Sequence, residues 1–184
     1  MTPWQSQLCL AIGGRAGTGK STVARILRHF LGSPPPALWL NPDVVRKELA
    51  GVSFDQRLPA EFYSEARRHE VYRVVQQRAR EALQIGKTVI WDASFDQAVR
   101  RDMVETLAAE QNVRFRGVIL EAQQELRIKR VGERKNDASD ADARYIESAE
   151  RSDFMPGSSP LWASIDASGS IDQTIALILN TMSR

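Results

Sequence analysis

The chain has one cysteine, Cys9, and two histidines among its 184 residues. One cysteine cannot close an internal disulfide, and inside an apolar run it reads as a small buried hydrophobe. His29 and His69 stand apart, so no zinc-ligand spacing exists. Long apolar runs are missing too. No stretch approaches the ~20 residues that cross a bilayer, and the first residues lack a signal-peptide pattern. Strong charge of one sign is also absent: 25 Lys and Arg against 23 Asp and Glu leave a formal +2. The calculated pI is near 8.9. That balance falls short of a dedicated nucleic-acid-binding domain. Tyr72 and the four tryptophans show no interleaving with a basic stripe, so no stacking platform for single strands is legible. These absences fit a protein of the reducing cytoplasm that has no contact with a membrane. The remaining composition, 42% hydrophobic and 26% charged, is ordinary for a globular protein. A single domain spanning residues 1–184 is expected, without repeats or an internal linker.

What is present is Gly14-Arg15-Ala16-Gly17-Thr18-Gly19-Lys20-Ser21. It matches the phosphate-loop pattern G-x-x-x-x-G-K-[ST], follows the apolar run 8–12 and opens a helical pattern. A chance match in a chain of this length is on the order of one in a hundred. Glycines let successive backbone N–H groups turn toward one point. Those amides and the positive end of the following helix make an anion site. Lys20 is expected to reach the β- and γ-phosphates of a nucleotide, and Ser21 to hold Mg²⁺. The expected nucleotide-binding residues run from Gly14 through Thr22, with Arg15, Ala16, Gly17, Thr18 and Gly19 between them.

Apolar strands alternate with helical patterns along the rest of the chain. Residues 8–12 read as a buried strand. A helix over 20–31 places Val23, Ile26, Leu27 and Phe30 on one stripe, with Gly32 as its cap and Pro34-Pro35-Pro36 preventing continuation. Residues 37–40 form a second strand. Asn41 caps a helix with Pro42 at its first position. Residues 51–63 lack a period and read as an exposed loop, a candidate lid over the substrate site. A long helix, 64–85, puts Val71, Val75, Ala79 and Ala82 on one side. A third strand, 88–92, precedes a helix over 97–111 that Asp96 caps, with Val99, Met103 and Leu107 on its apolar face. Residues 113–120 are a fourth strand and 123–133 a helix. A polar stretch at 135–138 leads to a helix from Ser139 to Phe154 and a loop over 155–160. A fifth strand at 162–166 and a helix at 170–182 close the chain. Such alternation means an α/β fold with a parallel sheet covered on both faces.

Three further constellations carry chemistry. Asp43 and Arg46 follow the second strand, at the end of a parallel sheet where ligands bind. Asp43 suits the acceptance of a proton from an attacking hydroxyl, with Arg46 holding the acceptor. Equally, Asp43 suits the first turn of a helix through the dipole, with Arg46 solvated. Asp92 ends an apolar strand and suits a Mg²⁺ shell, or else a turn; Ser94 and Phe95 follow on the same rim as candidate substrate contacts. Arg127, Arg130 and Arg134 fall on one helix face, where like charges cost ~0.2–0.5 kcal/mol per pair unless an anion reverses the sign. A solvated face is the alternative. Arg67-Arg68 and Arg100-Arg101 read first as surface pairs, with a substrate role as the alternative.

In this order the motifs resemble the small P-loop kinases, and in particular the AAA-type ATP-binding proteins grouped with the polynucleotide 5′-kinase domain and the zeta toxins. Residues 14–21 match their phosphate loop, Asp43-Val44-Val45-Arg46 their D-x-x-R, Asp92-Ala93-Ser94 their acidic strand end, and Arg130 with Arg134 their paired lid arginines. The resemblance implies a three-layer P-loop NTPase fold, a five-stranded parallel sheet in order 2-3-1-4-5, and a small helical lid near residues 127–142. It implies ATP and Mg²⁺ as cofactors, Ser21 and Asp92 as metal residues, and a catalytic set of Lys20, Asp43, Arg46, Arg130 and Arg134. Asp43 would be the general base and Arg130 would also grip the donor phosphates. The acceptor stays open among polynucleotide 5′-hydroxyls, nucleotide sugars and small antibiotics or sugars. No obligate protein partner is visible. The G-protein base-reading pattern N-K-x-D is missing, which favours ATP over GTP. Two other readings remain: a nucleotide-dependent switch that hydrolyses ATP slowly, and a zeta-toxin-like kinase of a nucleotide sugar.

Overall fold

The structure, a computed structural model, describes residues 6–32, 36–133, 139 and 159–182. Strand β1 (Leu8–Gly14) is buried along its whole length, as its unbroken apolar composition requires of a central parallel strand. It pairs in parallel with β3 (Val89–Asp92) on one side and β4 (Arg114–Glu121) on the other. β2 (Leu38–Leu40) adds to β3, and β5 (Trp162–Asp166) adds to β4, both in parallel. The order is β2-β3-β1-β4-β5, the order that the resemblance implies. β1 runs two residues past the expected 12 because its pairing with β4 continues through Gly13 and Gly14.

Alternation along β1 divides the interior. Leu8, Leu10 and Ile12 face a largely aliphatic layer containing Val23, Ala24 and Leu27 of α1 (Lys20–Leu27) and Ile178 and Met182 of α6 (Ile171–Met182). Leu10 and Ile12 are fully buried, and each burial stabilises the fold by roughly 1.5–3 kcal/mol. Cys9 and Ala11 point to the other face. Their small side chains sit in a layer that also holds Trp91, Phe95 and Trp162. α3 (Glu65–Gln84) brings Val71, Val75, Ala79, Ala82 and Leu83 to this side, and α4 (Ala98–Glu110) brings Val104, Leu107 and Ala108. Rings pass contact along that layer: Tyr72 to Trp91 at 6.5 Å between centroids, Trp91 to Phe95 at 6.2 Å, and Phe95 to Trp162 at 5.3 Å.

The helix starts follow sequence chemistry in one case and depart from it in another. Asn41 caps α2 (Pro42–Ala50), its side chain accepting from the N–H groups of Asp43 and Val44. Asp96 does not cap α4. Gln97 holds the cap position without a side-chain bond, and the Asp96 carboxylate is engaged by Arg100 and Ser94 instead. The α4 stripe is rotated from expectation: Val99 is 68% exposed, while Arg101, Val104 and Ala108 are buried. α1 ends at Leu27, four residues early, so Phe30 lies in solvent and Ala24 and Leu31 take its place in the core. In the loop 51–63, Lys47 Nζ donates to Phe54 O at 3.1 Å, and a 3₁₀ turn forms at Ala60–Tyr63. Pro34 and Pro35, the polar stretch 135–138, the helix expected from Ser139 to Phe154 beyond Ser139 itself, the loop 155–158 and half of the expected lid lie outside the described residues. No helix of the described residues is long and apolar enough to cross a membrane.

Candidate active site

The carboxyl ends of β1, β2 and β3 open onto a cleft of roughly 940 Å³. Its first wall is the loop between β1 and α1. Thr18 Oγ1 and Lys20 Nζ both donate to Arg15 O, at 2.9 and 3.0 Å, closing the loop on itself. Gly14 N donates to Ser94 O at 3.0 Å and ties the loop to the residues after β3. Gly17 has φ +86°, and a Cβ there would stand 2.6 Å from Arg127 O. Only glycine fits, on both conformation and space. The start of α1 has no side-chain cap and no acidic residue in its first turn. Its positive dipole end therefore meets no capping or acidic side chain from the helix start itself, which suits it to a phosphate. By contrast α2 is capped by Asn41 and carries Asp43 in its first turn.

The arginines of α5 (Gln124–Gly132) divide. Arg127 is buried, 3% exposed. Its Nε donates to Ala122 O at 3.1 Å and its Nη1 reaches Ala16 O at 3.5 Å, so it braces the loop against the helix. A solvated face is thus wrong for Arg127. Arg130 lines the cleft and donates to Ala167 O at 2.9 Å and Gly169 O at 3.1 Å, in the turn before α6. Arg134 lies outside the described residues.

Asp92 is fully buried at the end of β3. Its Oδ2 accepts from Asn41 Nδ2 at 2.8 Å and from Trp39 Nε1 at 3.3 Å. Its Oδ1 is buried without a hydrogen-bond partner among the described residues. A buried carboxylate oxygen left bare is costly, and a cation or a water satisfies it. Ser21 lines the same cleft. Among the described residues no group of three His, Cys, Asp or Glu could hold a metal. The donor set Asp92 and Ser21 therefore fits a Mg²⁺ that takes its other oxygens from phosphate and water.

Asp43 and Arg46 form an ion pair across one helical turn, the guanidinium bonding the carboxylate directly. About a third of the Asp43 side chain stays accessible (33%), while Arg46 keeps 8%. Burial pushes the Asp43 carboxyl above its ordinary range. Arg46 and, more weakly, Lys20 pull it back down, and the nearby Asp92 charge pushes it up again. A carboxylate with raised proton affinity is a better base than a free aspartate.

The far wall was only partly legible in the sequence: the region after residue 51 and the arginine pairs were candidates for substrate contact, but no motif singled out their residues. Arg57, Tyr63, Arg68, Tyr72 and Arg100 all border the cleft. The Arg46 guanidinium lies 4.7 Å from the centre of the Tyr63 ring, and that of Arg100 lies 4.7 Å from the Tyr72 ring. Burial pushes the Tyr72 hydroxyl up to about 12, so it stays protonated. The available signal was the i, i+4 spacing of Arg68 and Tyr72 on α3, which puts them on one face. Of the expected rim contacts, Ser94 lines the cleft, but Phe95 does not. It is fully buried with φ +50°, its ring between Trp91 and Trp162. The surface reading of Arg101 also fails: it is 7% exposed and donates to Phe95 O at 2.7 Å.

A five-stranded parallel sheet in this order, with a phosphate loop leading into an uncapped helix, defines a P-loop NTPase fold. Residues 10–153 match the AAA domain family AAA_33, and the chain belongs to that family. Among solved structures it is similar to a gluconokinase from Sinorhizobium meliloti 1021, with 14% identity, a TM-score of 0.69, and 98% of this chain and 94% of that one covered. A sugar kinase from Janibacter sp. HTCC2649 is similar at 14% identity and a TM-score of 0.69, covering 97% and 95% of the two chains. The APS kinase CysC of Mycobacterium tuberculosis, in complex with AMPPNP and APS, is similar at 20% identity and a TM-score of 0.61, covering 98% and 99%. No curated protein sequence matches the chain.

Proposed function

We propose that the chain is a single-domain kinase of the cytoplasm that transfers the γ-phosphate of ATP to a hydroxyl group. The observation that carries this is the placement of Asp43. A carboxyl of raised proton affinity, oriented by Arg46, borders the same cleft as Lys20 and the phosphate loop. The loop amides, Lys20 and the start of α1 hold the phosphates, residues 14–22 forming the nucleotide site. As the acceptor oxygen bonds to the γ-phosphorus and the bond to the bridging oxygen breaks, the Asp43 carboxylate takes the hydroxyl proton and ADP leaves. Arg46 orients the acceptor. Ser21 and Asp92 are the residues that would hold Mg²⁺, which when bound neutralises charge on the phosphate oxygens. Arg130 holds the donor side, together with Arg134 of the lid. Most of the catalysis is positioning and charge stabilisation, which a preformed cleft supplies.

The neighbours support this reading through their names, two of them kinases of sugars and one bound to a nucleotide analogue. A small acceptor fits better than a polynucleotide, given the formal charge of only +2. The test is transfer of label from γ-labelled ATP and Mg²⁺ into a panel of hydroxyl acceptors. That panel holds 5′-OH oligonucleotides, nucleosides, nucleotide sugars, aminoglycosides, sugars and sugar acids. Label in one acceptor, lost in Asp43→Asn, is the expected result. Slow ATP hydrolysis that Asp43→Asn leaves unchanged, with no acceptor labelled, would overturn it in favour of a nucleotide-dependent switch.

A further inference from the structure

Four of the arginines that border the cleft come from α2, the loop after it, α3 and α4: Arg46, Arg57, Arg68 and Arg100. Two tyrosines support them in alternation. Arg46 lies over the Tyr63 ring, and Arg68 Nη2 donates to Tyr63 O at 3.3 Å. One turn along α3 from Arg68 comes Tyr72, whose ring carries Arg100. Arg57 enters from the loop that precedes Tyr63. Among the described residues that line the cleft the carboxylates are Asp43, Asp92, Asp96 and Glu133; Arg46 engages Asp43 and Arg100 engages Asp96. Against these four stand Lys20, Arg25, Arg46, Arg57, Arg68, Arg100 and Arg130, so among the described lining residues cations outnumber carboxylates seven to four. Converging like charges repel, and tyrosine faces offset only part of that cost. The nucleotide phosphates have their own site at the loop, with Lys20 and Arg130, so this second cationic wall is not needed for them.

We propose that the phosphate acceptor is a small hydroxyl compound bearing its own anionic group (a carboxylate, sulfate or phosphate), which Arg57, Arg68 and Arg100 bind. This rests on the kinase reading above and names its substrate class. The choice of arginine is informative, because a planar guanidinium meets a two-oxygen anion through paired hydrogen bonds. The Tyr72 ring beneath Arg100 and the Tyr63 carbonyl that Arg68 bonds limit the rotamers of those two guanidinium groups, so less ordering remains to be done on binding. A neutral acceptor of the same shape would desolvate these cations without pairing them, and a site built for a polar group rejects an analogue lacking it.

The experiment uses the full chain saturated with Mg²⁺ and AMPPNP, titrated with inorganic sulfate in a calorimeter. Filling the loop first leaves only the far wall to be probed. The expected result is one sulfate bound, with affinity reduced at least about tenfold in Arg57→Gln/Arg68→Gln/Arg100→Gln, the loss of charge-assisted hydrogen bonds. AMPPNP affinity should stay unchanged, and Arg78→Gln, whose arginine pairs with Glu48 on the outer surface, should bind sulfate normally. If the triple variant fails to fold, Arg57→Gln/Arg68→Gln, which alters only two exposed side chains, gives the same reading. No sulfate bound to the loaded protein, or equal binding in the variants, overturns the proposal. A second arm compares transfer to matched pairs, a neutral sugar against the same sugar carrying a carboxylate or a phosphate. Preference for the charged member supports the proposal. Preference for the neutral member overturns it while the kinase reading stands. Failure of AMPPNP to bind at all would instead remove the kinase reading, and this proposal with it.

Discussion

At the proposed donor end of the cleft one unbroken stretch, residues 14–22, supplies the loop, the lysine and the first turn of α1. At the proposed acceptor end the lining comes from four separated segments, around 41–46, 57–63, 68–72 and 92–100. The donor end works largely through backbone N–H groups and a helix terminus, which any sequence with the right glycines can present. The acceptor end works through side chains whose positions depend on how α2, α3 and α4 pack on the sheet. Backbone recognition suits a group shared by every reaction cycle, the phosphates. Side-chain recognition suits the part of the reaction that can vary. The comparison predicts that damage at the two ends separates: donor changes strike nucleotide binding, and acceptor changes strike transfer alone.

The largest effect is expected from Asp43→Asn. Removal of a general base typically lowers a rate by about 10²- to 10⁴-fold, and AMPPNP binding should be unaffected. Transfer by the unchanged protein should show a limb that rises with pH. The sign follows from the raised pKa: the fold favours the protonated carboxyl, so the base form dominates only above a midpoint higher than that of an ordinary aspartate. Arg46→Gln removes the cation that lowers this midpoint and should move the limb further up. A limb unmoved by Arg46→Gln would break the assignment of the base. Next comes Lys20→Ala, where loss of one preorganised donor should cost about 10²- to 10³-fold in transfer. Here AMPPNP affinity should fall as well, which sets it apart from Asp43→Asn. If both variants bound nucleotide normally, the two ends would not be distinct.

A smaller effect is expected at Gly17. The backbone there is left-handed, and a Cβ would also meet Arg127 O at 2.6 Å. Left-handed backbone alone costs an ordinary residue roughly 1–2 kcal/mol, so Gly17→Ala should weaken AMPPNP binding by at least about tenfold. Gly51 is the matched control: its φ is +68°, and nothing lies within 4 Å of a Cβ built there. Gly51→Ala should lower the melting temperature slightly and leave nucleotide affinity alone. Equal nucleotide affinity in the two variants would show that the contact with α5 does not matter to the loop.

The same contrast explains what the sequence disclosed. The phosphate loop sits in one window, so its role could be read directly. Asn41 was legible as a helix cap, because capping is local. Its second bond, to Asp92, requires β2 and β3 to be sheet neighbours, which no local pattern states. Arg127 had the spacing of an arginine face that grips an anion or stays solvated, yet the direction in which α5 packs turns it inward to Ala16 O. Phe95 belonged to the rim by position, but a backbone with φ +50° sends its ring into the aromatic layer. Arg68 and Arg100 were candidates for substrate contact only as the lesser alternative to a surface role, and Arg57 was not singled out, for the same reason as Arg127. Helix periodicity shows which residues share a face, whereas the packing of each helix on the sheet decides what that face meets.

The smallest effect, and the finest division within the acceptor end, concerns Tyr72. Its ring carries the Arg100 guanidinium and touches Trp91, while its hydroxyl remains protonated at every physiological pH. If the ring is what matters, Tyr72→Phe keeps both contacts. Acceptor KM should then change less than about threefold, since surface-lining changes that keep packing stay within about 0.5 kcal/mol. Tyr72→Leu removes the π face under Arg100. A cation–π contact is worth about 0.5–2 kcal/mol depending on solvation, so acceptor KM should rise by about 2- to 30-fold, with AMPPNP affinity held constant. Equal effects of Phe and Leu would place the role in the hydroxyl instead. The acceptor wall would then be a hydrogen-bonding surface rather than a set of arginines held on aromatic faces.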